Sequence, residues 1–154
     1  MDQNARVTEP LRMESETASR LALSEQRLEL ALSAGLGIGT WDWDVVSDRV
    51  FPDERFARLY GVDSDKARAG APVAEFFVAM HPEDRAEVQA HIDEALRTGA
   101  LFSREYRLLG FEGDVTWVVA EGRCEFDAQG QPIRFRGVSF DITERRLAEQ
   151  RLRR

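Results

Sequence analysis

The spacing of apolar residues divides the chain into stretches of helical and of extended character. From about Glu16 to Ala34, positions Ala18, Leu21, Glu25, Leu28 and Leu32 recur at intervals of three and four, flanked by polar Gln26, Arg27 and Glu29. This heptad-like stripe predicts an amphipathic helix over 16–35, packed on its own domain or on a twin, and stopped by Gly35, Gly37 and Gly39. Residues 1–15 are polar and lack a period, so they are expected to fray.

The next stretch changes period. Trp41, Trp43 and Val45 alternate with Thr40, Asp42 and Asp44, which predicts a strand over 38–46. Ser47 and Asp48 suit a turn, and 49–52 a short second strand. Asp53 is placed to cap a helix with Phe56, Leu59 and Tyr60 on one face, closed by Gly61. Short helical pieces follow, one beginning at Pro72 and burying Val73, Phe76, Phe77 and Met80. His81 and Pro82 open a longer helix, with Glu83 and Asp84 favourable to its dipole, Val88, Ile92, Ala95 and Leu96 as its stripe, and Gly99 as its end.

The last third reads as a meander of strands over 101–109, 115–126 and 131–142, the latter two joined by the turn Asp127-Ala128-Gln129-Gly130. Thr143 is placed to cap a closing helix over 143–154. Five strands, with the helices gathered in one block, predict an α+β domain over 36–142 whose sheet is covered on one face.

Composition narrows the function. The 154 residues carry a net charge of −7, which argues against nucleic acid as the main partner. Residues 143–154 alone hold five Arg and two Glu, a short basic tail read as a solvated helix face rather than a lipid or phosphate contact. No apolar run reaches the roughly 20 residues of a membrane span. The opening MDQNARVTEP lacks a secretory pattern, and a single cysteine excludes an internal disulfide framework; both point to the cytoplasm.

Candidate catalytic groups are sparse. Asp42 and Asp44 fall on one strand face about 7 Å apart, but no nearby His completes a triad, and they read as solvated carboxylates. Cys124 sits in an alternating apolar strand and is assigned to the core. His81, His91 and Cys124 lack metal-ligand spacing, and His81 is expected to cap its helix. No enzymatic role is predicted for this chain. Phe56, Tyr60, Phe76, Phe77, Met80, Val88 and Ile92 are expected to face the sheet, either as solid core or as the lining of an apolar pocket for a small ligand.

Five phrases in order carry a resemblance. Gly39-Thr40-Trp41-Asp42-Trp43-Asp44, His81-Pro82-Glu83-Asp84-Arg85, Glu105-Tyr106-Arg107-Leu108, Trp117-Val118 with Gly137-Val138, and Asp141-Ile142-Thr143-Glu144-Arg145 together resemble PAS domains of bacterial sensor kinases over about 25–148. The resemblance implies a five-stranded antiparallel sheet of order 2-1-5-4-3, a homodimer with Ala18, Leu21, Leu28 and Leu32 at its contact, and a role in signal transduction. It implies that Asp141, Ile142 and Thr143 form the exit motif into a signalling helix, which leads to an output domain of a two-component sensor histidine kinase. The alternative is a protein-interaction module without a small-molecule ligand.

Two cofactors of that family are not expected. Residues 64–80 contain no cysteine and no Gly-x-Asn-Cys-Arg-Phe phrase, as a flavin adduct requires. Registering the long helix on Arg85 and Thr98-Gly99 puts Val88 where a haem-ligating histidine belongs, and His91 one turn away. The closing helix has little apolar surface beyond Leu147, Ala148 and Leu152. Either it continues past residue 154 or it leans on a partner.

Overall fold

The computed structural model of the protein describes Gln26 and residues 38–110 and 112–152. The stripe of Ala18, Leu21, Leu28 and Leu32 therefore lies outside the described residues. The remainder runs β1 (Ile38–Asp44), β2 (Arg49–Pro52), α1 (Glu54–Leu59), α2 (Ser64–Ala69), α3 (Val73–Val78), α4 (Pro82–Thr98), β3 (Phe102–Leu109), β4 (Val115–Phe126), β5 (Pro132–Asp141) and α5 (Thr143–Leu152). All strand pairs are antiparallel, in the order β2-β1-β5-β4-β3. This is the α+β fold and sheet order that the resemblance implied.

The strict alternation in β1 sends Trp41 and Trp43 into the core and leaves the carboxylates outside. β1 ends two residues earlier than its apolar pattern suggests. Asp48 stands at φ 52, in the left-handed region that Asp tolerates, and its carboxylate accepts from Trp43 Nε1 (3.0 Å) and the Val73 amide (3.2 Å). These bonds fix a turn at 45–48 and leave Val46 exposed.

Residues across β4 and β5 meet at Gly122 opposite Gly137. The bare backbone of this pair makes a trough for the Trp41 indole. A Cβ on Gly122 would stand 2.6 Å from Trp41 Cζ2, and one on Gly137 would strike both Trp41 and the Glu121 carbonyl. Trp41 then meets Phe56 and Phe135 at ring-centre distances of 5.6 and 5.7 Å, and Phe56 stacks on Tyr60 at 4.1 Å. Val88, Ile92 and Ala95 of α4 close this layer from the helical side.

The reverse face of the sheet is not bare. Val119 and Phe140, partners across β4 and β5, are both buried there. The run Val118-Val119-Ala120 carries this signal, since a strand buried on both sides reads as continuously apolar. At each sheet margin a single bridge closes the outer strand. Val50 of β2 exchanges two backbone bonds with Ala71, and β3 is covered by Leu109 N–H to Ala79 C=O (2.8 Å) and His81 N–H to Arg107 C=O (2.8 Å).

Because the Gly137 trough leaves no room for a methyl group, Gly137→Ala is expected to lower the urea-unfolding free energy by about 1–3 kcal/mol. A variant as stable as the parent, with an unchanged circular dichroism spectrum, would show that Trp41 is free to move aside.

Candidate functional site

Between the helices and the sheet lies an apolar cavity of about 60 Å³. Phe56, Tyr60, Phe76, Phe77, Met80, Val88 and Ile92 all line it, joined by Trp41, Trp43, Phe102, Tyr106 and Phe135 from the sheet. Two aromatic-rich helices and one long helix thus bring all seven predicted pocket residues to one place. A water needs on the order of 10–15 Å³ of such space, and a ring the size of benzene about 150 Å³. The cavity suits a molecule of a few heavy atoms and is too small for a ring system unless its walls move.

Two of the lining residues, Tyr60 and Tyr106, carry hydroxyls into a buried hydrogen-bonded group. The Tyr60 hydroxyl bonds to that of Tyr106 and lies 3.2 Å from Ser139 Oγ, and all three residues are buried. Burial outweighs the hydrogen bonds and pushes the Tyr60 phenol up to about 12. Burial also holds the Tyr106 phenol well above its ordinary value, reinforced by Tyr60 beside it. Sequence reading passed over Tyr106 and Ser139. Period two along β5 groups Ser139 with Gly137 and Asp141, but nothing local reveals that Tyr60 stands opposite.

Two residues beyond Ser139, the same strand face reaches Asp141 and the sheet ends. The Asp141 carboxylate accepts from the Thr143 amide (2.8 Å) and hydroxyl (2.6 Å). The Thr143 hydroxyl oxygen in turn accepts from the Trp117 amide (2.9 Å), and the Trp117 carbonyl accepts from Ile142 N–H (2.8 Å). Ile142 is buried. Thr143 is therefore not the simple helix cap that its position suggests: its hydroxyl ties the first turn of α5 to the neighbouring strand. Arg145 and Arg146 both pair with Glu105 on β3, Arg146 Nε at 3.3 Å, and the Arg146 guanidinium lies 4.0 Å from the Trp117 ring centre. No residue of α5 is buried, and Leu147 and Leu152 are exposed.

The family described as PAS fold matches residues 49–139, more than half of the chain. The chain belongs to the PAS fold family. It is 34% identical over 102 residues to the two-component sensor PprA of Pseudomonas aeruginosa, covering 66% of this chain and 10% of that protein. It is 33% identical over 98 residues to the uncharacterized protein y4lL of Sinorhizobium fredii, covering 64% of this chain and 12% of that protein. Among solved structures, a sensory box histidine kinase/response regulator from Burkholderia thailandensis superposes with a TM-score of 0.66 at 28% identity, over 82% of this chain and 92% of that one. The chain spans about a tenth of the length of the curated relatives it matches.

Within this PAS domain the phrase His81-Pro82-Glu83-Asp84-Arg85 works residue by residue. His81 Nδ1 caps α4 by accepting from the Glu83 amide (3.1 Å), and Pro82 takes the first turn, where no N–H is needed. Arg85 donates to the Met80 and Val78 carbonyls at 3.0 and 3.2 Å, securing the chain that leaves α3. Asp84 grips Arg107 of β3 through its amide, Nε and Nη2, at 2.9, 3.0 and 2.7 Å. The hydrogen bond from Arg107 keeps the Asp84 carboxyl below its ordinary pKa. This forked, half-buried pair outranks exposed ones such as Arg58–Glu54, where a contribution of about 0–1 kcal/mol is typical.

The remaining candidates find structural partners. Asp42 pairs with Arg134 at 2.8 Å on the reverse face of the sheet, and Asp44 accepts from the Ser47 amide at 3.4 Å, so the two are not joined in a cleft. Cys124 packs partly buried against the core, and burial, with Glu125 beside it, raises its thiol pKa and so favours the protonated form. His91 is partly exposed beside Glu87 (3.8 Å). Among the described residues no group of three His, Cys, Asp or Glu is placed to hold a metal, and no helix is long and apolar enough to cross a membrane.

Tyr60 and Tyr106 are the only tyrosines in the sequence, so the absorbance of tyrosinate reads them alone. Both folded values lie above the unfolded value of about 10, so above that pH the native state holds protons that the unfolded chain releases. Their stabilisation is complete below about pH 10 and is lost as pH rises above it, through about 12 for Tyr60, by at most about 1.4 kcal/mol per pH unit for each ring. Tyrosinate absorbance is expected to appear only with unfolding. Its growth near pH 10 in folded protein would contradict the buried hydroxyl pair.

Proposed function

We propose that this PAS domain is the input module of a larger cytoplasmic signalling protein, a sensor histidine kinase of a two-component system, and that it passes a conformational change into α5 through Asp141, Ile142 and Thr143. One observation carries the reading. On a single face of β5, the hydroxyl bonded to the cavity-lining Tyr60 (Ser139) and the carboxylate that holds the exit helix (Asp141) are two residues apart, a separation of about 7 Å along a strand. A shift of Tyr60 or Tyr106 pulls on Ser139, and the strand hands that displacement to the junction. The similarity to PprA and to the Burkholderia protein supports a kinase as the output. The exposed Leu147 and Leu152 support a helix that continues into, or leans on, a partner.

The proposed ligand is a small neutral molecule with one hydrogen-bonding group. The lining is apolar, the two phenols stay protonated, and no cation offsets a buried charge. A flavin or haem does not fit about 60 Å³ with these aromatic side chains in place, and no histidine is among the lining residues. We further propose a homodimer formed through Ala18, Leu21, Leu28 and Leu32.

In the full-length protein, Asp141→Ala is expected to remove most of the difference in output activity between input states, a coupling that is commonly about 5- to 150-fold, while the domain stays folded. An unchanged response in a folded variant would sink the relay through this junction. Native mass spectrometry of the 154-residue chain is expected to give a dimer carrying a small added mass, and Leu28→Glu a monomer. A bare monomeric mass for the parent chain would count against both the dimer and the ligand.

A further inference from the structure

The junction touches more than β5. Trp117 holds it through its backbone, accepting from Ile142 N–H and donating to the Thr143 hydroxyl, while the Trp117 ring meets two arginines that belong to different parts of the domain. Arg146 comes from α5, at 4.0 Å from the ring centre, and Arg107 comes from β3, at 5.5 Å. Arg107 is bound by a fork to Asp84 and reaches Glu83 at 3.3 Å, and both acids sit in the first turn of α4. That turn is separated from Met80 by His81 alone and precedes Val88, and Met80 and Val88 both belong to the cavity wall.

We propose a second relay, from the start of α4 to α5 through Asp84, Arg107, the Trp117 ring and Arg146, which sets how firmly α5 is held on the sheet. It rests on the reading of α5 as the output element and adds a route that bypasses Ser139. A bidentate carboxylate–guanidinium pair is stiff, so movement of the first turn of α4 carries the Arg107 head group with it. An arginine over an indole is held by a directional electrostatic attraction, weakened when a neighbouring cation shifts on the same ring. Glu105 completes the arrangement, since it neutralises Arg145 and Arg146 where they leave the sheet. The Arg146 Nε is buried and faces Glu105 without hydrogen-bond alignment, which leaves the indole as the principal orienting contact of this side chain.

The test reads amide hydrogen exchange of residues 146–152 in the 154-residue chain. Asp84→Asn removes charge from a side chain that bonds to Arg107, yet α5 amides are expected to exchange roughly three- to thirtyfold faster, with β1 and β5 amides unchanged. Arg107→Lys keeps the charge without the fork and is expected to do the same, which guards against a folding defect peculiar to the first variant. In a Trp117→Leu background, Asp84→Asn is expected to have no further effect on α5. The relay is overturned if Asp84→Asn and Arg107→Lys leave α5 exchange unchanged, if their effects add to that of Trp117→Leu, or if α5 amides of the parent chain already exchange at the free-peptide rate. None of these readouts uses the kinase output, so failure here is separable from failure of the Asp141→Ala experiment.

Discussion

The indole of Trp41 lies on a stretch of sheet that has no side chains. Gly122 and Gly137 face each other across β4 and β5, and the ring occupies the space that two Cβ atoms would take. Everything above it follows from that seat. Phe56 and Phe135 rest against the indole, Tyr60 stacks on Phe56, and α4 closes the layer at Val88 and Ile92. A larger residue at either glycine lifts Trp41 toward the helices and removes the little free space beneath them. The tight seating thus accounts for how little free space the cavity keeps.

At the far end of β5 the same economy of contacts holds the exit. A carboxylate, a threonine hydroxyl and two backbone groups of Trp117 make a closed set of hydrogen bonds around Ile142. The helix that follows has no buried residue and, among the described residues, is fastened by Thr143, Arg145 and Arg146 in its first two turns. An isolated helix of this length is marginal in water, so its direction is governed by those first-turn contacts. The firm strand and the weakly held helix meet within three residues, which is the arrangement expected of a joint.

Local sequence made much of this legible. The alternation in Thr40–Asp44, the cap at Asp53, the Pro82 start and Gly99 end of α4, and the turn at 127–130 are all set by neighbours within a few residues. The seven apolar residues of the helical block could be grouped because helical spacing aligns them. Contacts across large separations could not be read in the same way. Tyr60 finds Ser139 79 residues later, Thr143 finds Trp117 26 residues earlier, and Asp84 finds Arg107 across 23. Two of the phrases that carry the family resemblance, His81–Arg85 and Glu105–Leu108, are the two sides of the last of these pairings. The end of β1 is hidden from local sequence for the same reason: apolar Val45 and Val46 extend the pattern, while the turn is imposed by Asp48 bonding to Trp43 and Val73.

The margins of the sheet have a bearing on assembly. An unpaired outer strand is a template on which another chain can add its own. Here Ala71 takes up the backbone groups of Val50, and Ala79 and His81 take up those of Leu109 and Arg107. Strand addition at these positions requires the corresponding clasp to open first. At Val50 and over Arg107–Leu109, a second copy of this domain therefore finds no free backbone ladder to join.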